Sequence, residues 1–143
     1  HKEYRRQRQM CIRDRIIRGM CSLYPGREGL SESISVVSII GQFLEHSRIF
    51  WFGNGGSPEV YIGSADWMSR NLDRRVEAVT PVEDPNLRSR LERLLELYLK
   101  DNRGAWDMQS DGSFIQRQPD EGEDVRNSQL QLIQQWSQGV LQS

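Results

Sequence analysis

Residues 43–77 read FLEHSRIFWFGNGGSPEVYIGSADWMSRNLDRRVE, and this stretch decides the expected fold. Residues 48–52 and 59–63 are mainly apolar, and they predict two β-strands. The glycine-rich residues 53–58 between them can supply the positive φ angles of a hairpin connection. A phosphate-cradling P-loop is excluded because its lysine and its following helix are both missing. We therefore expect a β-hairpin with polar residues at both ends.

His46, the internal histidine, comes just before the first strand. An imidazole can act as a nucleophile toward phosphorus or as a general acid and base. A single histidine is more often a hydrogen-bonded structural residue, so its neighbours must decide between the two roles. Arg48 follows two positions later, and on a strand the two side chains would share a face. This pairing favours an anion site.

Polar residues also follow the second strand. Ser64, Asp66 and Asn71 offer a hydroxyl, a carboxylate and an amide. Preorganised hydrogen bonds and cations supply much of the catalysis at a transferring phosphoryl group. Asp66 is expected to orient the His46 imidazole or to receive its proton, with the capping of a turn as the alternative. Together these groups predict half of a phosphoryl-transfer site.

The arrangement resembles the half-motif of the phospholipase D superfamily, in which a histidine and a lysine two residues apart precede Gly-Ser-x-Asn. The chain departs from that pattern with Arg48 for the lysine and Asp66 for the asparagine. Three segments resemble the C-terminal catalytic domain of polyphosphate kinases: IIRGMCSLYPG at 16–26, GLSESISVVSIIGQFLEHSRIFWF at 29–52 and GSADWMSRNLDRRVEAVTPVEDP at 63–85. This resemblance extends from Ile16 to Lys100.

The resemblance implies an α/β fold, a mixed β-sheet flanked by helices of phospholipase D type, forming the second of two catalytic halves. It implies an ATP:polyphosphate phosphotransferase that moves the terminal phosphate of ATP onto polyphosphate, reversibly, through a phosphohistidine. ATP, ADP and polyphosphate are then the partners, and Mg²⁺ is required. The phosphohistidine and the Mg²⁺ ligands are assigned to the first half. No metal ligand is therefore named in this chain, which by itself is expected to be inactive.

The resemblance also assigns roles to single residues. Arg18 in RGMC is implied to bind phosphate, and His46 is implied to act as the general acid or base of the second half. Arg70, Arg74 and Arg75 lie close together without a lysine, which fits planar bidentate recognition of oxyanions. We expect Arg70 and Arg74 to contact ATP or polyphosphate, and Arg75 to form a surface ion pair. The expected site comprises catalytic His46, phosphate-binding Arg18, His46, Ser64, Arg70 and Arg74, and orienting Asp66 and Asn71.

Three segments are expected along the chain. Residues 1–15 are charged, aperiodic and unlike polyphosphate kinases, so we expect non-native sequence there, with an anion-binding basic arm as the alternative. Residues 16–118 are expected to form the catalytic domain. Residues 119–143 are expected to form an acidic linker and a polar helix and tail.

Apolar periodicity predicts the other elements of the chain. They are strands at 16–23 and 76–82, helices at 29–44, 87–100 and 127–136, and a hairpin at 106–116 with an Asp111-Gly112 turn. Ser31 is expected to cap the first of these helices and Asn86 the second.

Composition limits the classes of function. The 143 residues carry a net charge of −1 and are 36% hydrophobic, which fits one globular unit without a general affinity for nucleic acid. Cys11 and Cys21 match neither a metal site nor a disulfide framework. No apolar run approaches the roughly 20 residues that span a bilayer. We expect a cytoplasmic protein, with peripheral membrane association left open, and a homo-oligomeric whole enzyme.

Two alternatives of other classes stay open. A phosphodiesterase of the same superfamily would use His46 as its nucleophile, and the absence of the motif lysine counts against it. A non-catalytic anion-binding module would depend on the arginines and not on His46.

Overall fold

The computed structural model describes residues 13–19, 21–66 and 68–139, without the side chains of Arg13, Arg70 and Leu72. Predictions on residues 1–12 lie outside the described residues. The elements are β1 (Arg13–Ile17), β2 (Ile34–Ile39), β3 (Ile49–Phe52), β4 (Glu59–Gly63), α1 (Ser69–Arg74), β5 (Val79–Pro81), α2 (Pro85–Leu99), β6 (Ala105–Met108), β7 (Phe114–Gln116) and α3 (Ser128–Ser137). The chain divides into two compact units, residues 1–44 with 97–143 and residues 45–96. The predicted α/β class is confirmed, with the strands distributed over two sheets.

The first unit contains a mixed four-stranded sheet in the order β1-β2-β6-β7. β1 and β2 run parallel, whereas β2-β6 and β6-β7 are antiparallel. Val36, Val37 and Ala105 are buried in its core. β6 and β7 form the predicted hairpin, and the Asp111 carboxylate accepts a hydrogen bond from the Ser113 N–H in the turn. The two central strands therefore contribute the buried apolar residues of this sheet.

The helix predicted at 29–44 is wrong, because residues 34–39 form strand β2. The segment ISVVSI is rich in β-branched side chains, which are restricted at χ1 and pack well on a sheet. Residues 36–39 are all buried, so their apolar pattern lacks the alternation of a half-exposed strand. Ser31 does not cap a helix. Its hydroxyl accepts from the Arg27 N–H and donates to the Tyr24 carbonyl, which closes the turn before β2.

β1 begins and ends earlier than the strand predicted at 16–23. Residues 13–15 pair with residues 34–36 of β2, and the Ser35 hydroxyl donates to the Asp14 carboxylate. β1 thus includes three residues of the segment 1–15 that the sequence set apart. The strand ends at Ile17, and Gly19 follows with φ of +92°. A backbone in this left-handed region cannot continue a strand.

The second unit contains the antiparallel sheet β3-β4-β5. Its first two strands are the predicted hairpin, which is confirmed, with Ile49 opposite Ile62 and Phe52 opposite Glu59. Asn54, Gly55 and Gly56 in the connection all have positive φ. β5 is shorter than the strand predicted at 76–82. The short helix α1, which no pattern indicated, lies between β4 and β5.

Helix α2 begins at Pro85, one residue before its predicted cap, Asn86. The Asp84 carboxylate accepts hydrogen bonds from the N–H groups of Asn86 and Leu87, at 2.8 and 3.0 Å. Asp84 is therefore the capping residue, and the prediction of Asn86 is wrong. Pro85 occupies the first helical position, where a missing N–H costs nothing. Tyr98 is the buried residue of this helix.

A buried carboxylate joins the segment after α2 to the start of α3. Asp101 accepts from the backbone N–H groups of Arg103 and Gly104, and from both the N–H and the hydroxyl of Ser128. Burial alone would raise the pKa of Asp101, but these hydrogen bonds outweigh it and hold the pKa below its ordinary value. Asn127 caps α3 through the Leu130 N–H, so the predicted terminal helix is confirmed.

Candidate active site

Arg48 and Asp66 form an ion pair in the second unit. Arg48 Nε lies 3.0 Å from Asp66 Oδ1, and the two side chains are 22% and 27% exposed. Arg48 Nη1 also donates to the backbone carbonyl of His46 at 2.8 Å. The guanidinium therefore links the residues that precede β3 to the turn that follows β4. The Asp66 carboxylate thus contacts Arg48. The role expected for Asp66 in orienting the His46 imidazole stays a prediction.

Glu77 is the centre of a second group of contacts. The hydroxyl of Ser64 donates to Glu77 Oε2, and the side-chain amide of Asn71 donates to Glu77 Oε1 at 3.0 Å. Asn71 is 2% exposed. The Ser64 hydroxyl in turn accepts from the Ala78 N–H at 3.1 Å. A single carboxylate thus holds two of the predicted residues, one after β4 and one in α1.

The sequence does not mark Glu77 as a member of the candidate site. Its two contacts come from residues 6 and 13 positions earlier, and they depend on how α1 returns the chain toward β5. No local sequence pattern predicts such a contact. The closeness of a serine, an asparagine and a glutamate in one segment is the one available hint.

The charges of this cluster nearly balance. Arg48 is paired with Asp66, and the Glu77 carboxylate adds a negative charge. Binding of a polyanion at these residues would therefore need further cations. Arg74 is exposed at the end of α1 and is one candidate. The side chain of Arg70, on the same helix, lies outside the described residues.

His46 is exposed and lies three positions before the start of β3. An exposed imidazole is accessible to a substrate or to another part of a larger protein. The predicted general acid or base role requires that access.

Arg18 lies in the first unit, directly after β1, and is partly buried. The next residue, Gly19, is hydrogen-bonded through its N–H to the Ser38 hydroxyl at 3.0 Å. The second unit holds the other predicted residues. Within it the structure brings Ser64 and Asn71 together at Glu77, and places Asp66 at Arg48.

Two further findings concern the described ranges 13–19, 21–66 and 68–139. They contain no group of three or more His, Cys, Asp or Glu side chains that could hold a metal ion. None of their helices is long and apolar enough to cross a membrane. The assignment of Mg²⁺ ligands to another part of the enzyme remains a prediction.

Comparison with known proteins gives a consistent result. Residues 12–129 match the family model described as polyphosphate kinase C-terminal domain 2. The chain is 95% identical over 128 residues to a polyphosphate kinase of Parasynechococcus marenigrum strain WH8102, covering 90% of this chain and 18% of the relative. It is 50% identical over 128 residues to a polyphosphate kinase of Pseudomonas aeruginosa strain PAO1, covering 90% of this chain and 19% of the relative.

A solved structure is similar as well. The crystal structure of polyphosphate kinase from Porphyromonas gingivalis matches with a TM-score of 0.86 and 35% sequence identity. The match covers 99% of this chain and 22% of that one. The chain thus spans about a fifth of the length of the proteins it resembles.

Proposed function

This chain belongs to the polyphosphate kinase family, and we propose that it supplies the second catalytic half of an enzyme that makes polyphosphate from ATP. In the proposed reaction the terminal phosphate of ATP is transferred reversibly to a growing polyphosphate chain through a phosphohistidine. The nucleophilic histidine belongs to the part of the enzyme outside this chain. The sequence identity to proteins named polyphosphate kinase supports this proposal.

The observation that carries the proposal within this chain is the contact of Ser64 and Asn71 with Glu77. The carboxylate accepts from the Ser64 hydroxyl and from the Asn71 amide, so it fixes the turn after β4 against α1 and keeps the segment that carries the site residues in place. A segment held in this way need not reorganise when a substrate binds, and such preorganisation is what electrostatic catalysis requires. Burial of Asn71 restricts its side chain further.

His46 acts in this proposal as a general acid and base. When the bond between the γ-phosphorus and the bridging oxygen of ATP breaks, protonated His46 donates its proton to the departing oxygen of ADP. In the reverse direction the neutral imidazole takes that proton back. The exposure of His46 allows it to meet a substrate held mainly by the other half.

The cations have a separate role. Arg18 and Arg74 are proposed to bind phosphate oxygens, as is Arg70, whose side chain is outside the described residues. Arg48 is proposed to position its neighbours, because its guanidinium donates hydrogen bonds to both the Asp66 carboxylate and the backbone carbonyl of His46. Bound Mg²⁺ would supply charge neutralisation on the ATP phosphates, with protein ligands expected in the other half.

A labelling experiment tests the reaction class. The complete enzyme is incubated with ATP carrying radioactive γ-phosphate, and separately with a labelled phosphodiester. A polyphosphate kinase forms acid-labile, base-stable phosphohistidine from ATP alone, and the label passes into polyphosphate when unlabelled polymer is added. Labelling from the diester, or no labelling from ATP, would contradict the proposal. The 143 residues alone should show no ATP turnover.

A further inference from the structure

Ser38 is a buried polar residue that the proposed mechanism does not use. It lies in β2 opposite Ile17 of β1, and it is 1% exposed. Its hydroxyl accepts a hydrogen bond from the Gly19 N–H at 3.0 Å and donates one to the Gly19 carbonyl at 3.3 Å. One side chain therefore satisfies both backbone polar groups of a residue two positions beyond the end of a strand.

The conformation of Gly19 explains why this contact matters. Its φ of +92° lies in the left-handed region, where L side chains are strained. A Cβ atom built on Gly19 would meet no atom within 4 Å, so the requirement for glycine comes from the backbone and not from lack of space. Rotation of this backbone would leave the buried Ser38 hydroxyl without its partners, which is costly. The turn after Arg18 is therefore fixed from the neighbouring strand.

We propose that Ser38 is a positioning residue for Arg18, and that it sets the direction in which the arginine leaves the sheet toward a phosphate. The inference rests on the proposed function, in which Arg18 binds a phosphate of ATP or polyphosphate. Arg18 itself follows β1 directly, so no other residue separates it from the fixed turn. Ser38 acts on the substrate only through Arg18 and touches no phosphate.

Ser35 on the same strand provides a matched control. It is exposed, and its hydroxyl donates to the side chain of Asp14 and not to the backbone after Arg18. Loss of this hydroxyl should change local surface contacts alone. Comparison of the two serines therefore separates a general effect on β2 from an effect on the turn.

The test is a double-mutant cycle in the complete enzyme. Its readout is the dissociation constant of ATP, measured in the presence of Mg²⁺. Ser38→Ala should weaken binding roughly 2- to 10-fold, the loss expected for one or two hydrogen bonds. Ser35→Ala should leave binding unchanged. In the Arg18→Ala background, Ser38→Ala should cause no further loss, because its effect passes through the arginine.

Each other outcome has a definite meaning. Equal weakening by Ser38→Ala in both backgrounds, or unchanged binding by folded Ser38→Ala, would overturn the positioning role while leaving the proposed function intact. Unchanged binding by Arg18→Ala would remove Arg18 from the proposed phosphate site and the inference with it. Gly19→Ala perturbs the same turn by its backbone with room for its side chain. It should reproduce the weakening and its dependence on Arg18, and it decides the question if Ser38→Ala does not fold.

Discussion

The buried side-chain amide of Asn71 donates a hydrogen bond to the Glu77 carboxylate at 3.0 Å, which joins α1 to the residues that precede β5. The other oxygen of the same carboxylate accepts from Ser64, which follows β4. Three consecutive elements of the second unit are thus tied at one side chain. This contact makes Glu77 the residue on which the positions of Ser64 and Asn71 depend.

Glu77→Gln should therefore lower the rate of polyphosphate synthesis by at least about 10-fold in the complete enzyme. Glutamine keeps one acceptor oxygen but turns an NH₂ group toward one of the two donors, so Ser64 or Asn71 loses its partner. The steady-state rate at saturating ATP measures this effect. Glu83→Gln, an exposed carboxylate two residues beyond β5, is the control and should retain full activity. Full activity in Glu77→Gln would show that the cluster is not part of the site.

Arg48→Lys should also lower the rate, although it restores the residue of the phospholipase D half-motif. The guanidinium reaches Asp66 through Nε and the His46 carbonyl through Nη1, and a lysine ammonium cannot reproduce this fork. The ion pair is partly exposed, so its contribution to stability should be small, about 1 kcal/mol. We therefore expect a large fall in rate with little change in melting temperature. A lysine variant as active as the parent would contradict the geometric role of Arg48.

The stability of the first unit should fall at acid pH through Asp101. Its folded-state pKa is held below the ordinary value of 3.8 because Ser128, Arg103 and Gly104 donate to the carboxylate. The resulting stabilisation is fully present above that value and is lost as the pH falls through the lower folded-state pKa. Asp101→Asn should lower the free energy of unfolding by about 3 kcal/mol at neutral pH. It should also make that free energy depend less on pH in the acid range.

Urea unfolding of the chain from about pH 7 to about pH 2 measures this dependence. Asp120→Asn, at an exposed aspartate, is the control and should unfold like the parent at each pH. An Asp101→Asn variant with the same acid dependence as the parent would assign the effect to other carboxylates.

Local turn and capping signals made parts of the fold predictable. The hairpin at 48–63 followed from a glycine-rich connection between two apolar runs, and Asn127 marked the start of α3 correctly. At α2 the predicted cap, Asn86, lies two residues after the observed one, Asp84. Pro85 favours the first helical position and therefore leaves Asp84 as the cap.

The failures have tertiary causes. The helix predicted over β2 is wrong because residues 36–39 are buried on both faces of the strand and therefore do not alternate. The sequence does not indicate Glu77, because its contacts with Ser64 and Asn71 form only after α1 has returned the chain toward β5. The chemistry of Ser64, Asp66 and Asn71 made them candidates, and their place in a site stays a prediction, whereas their hydrogen-bond partners could not be predicted from the sequence.

The central claim is that His46 is a catalytic group of a polyphosphate kinase. Polyphosphate synthesis from ATP and Mg²⁺ by the complete enzyme, compared with its His46→Ala variant, tests it most directly. Loss of a general acid and base predicts a rate lower by about 10²- to 10⁴-fold with ATP affinity nearly unchanged. Ser47→Ala, at the exposed neighbouring residue, should keep the parent rate. A His46→Ala variant that makes polyphosphate at the parent rate would show that His46 is structural and would contradict the account.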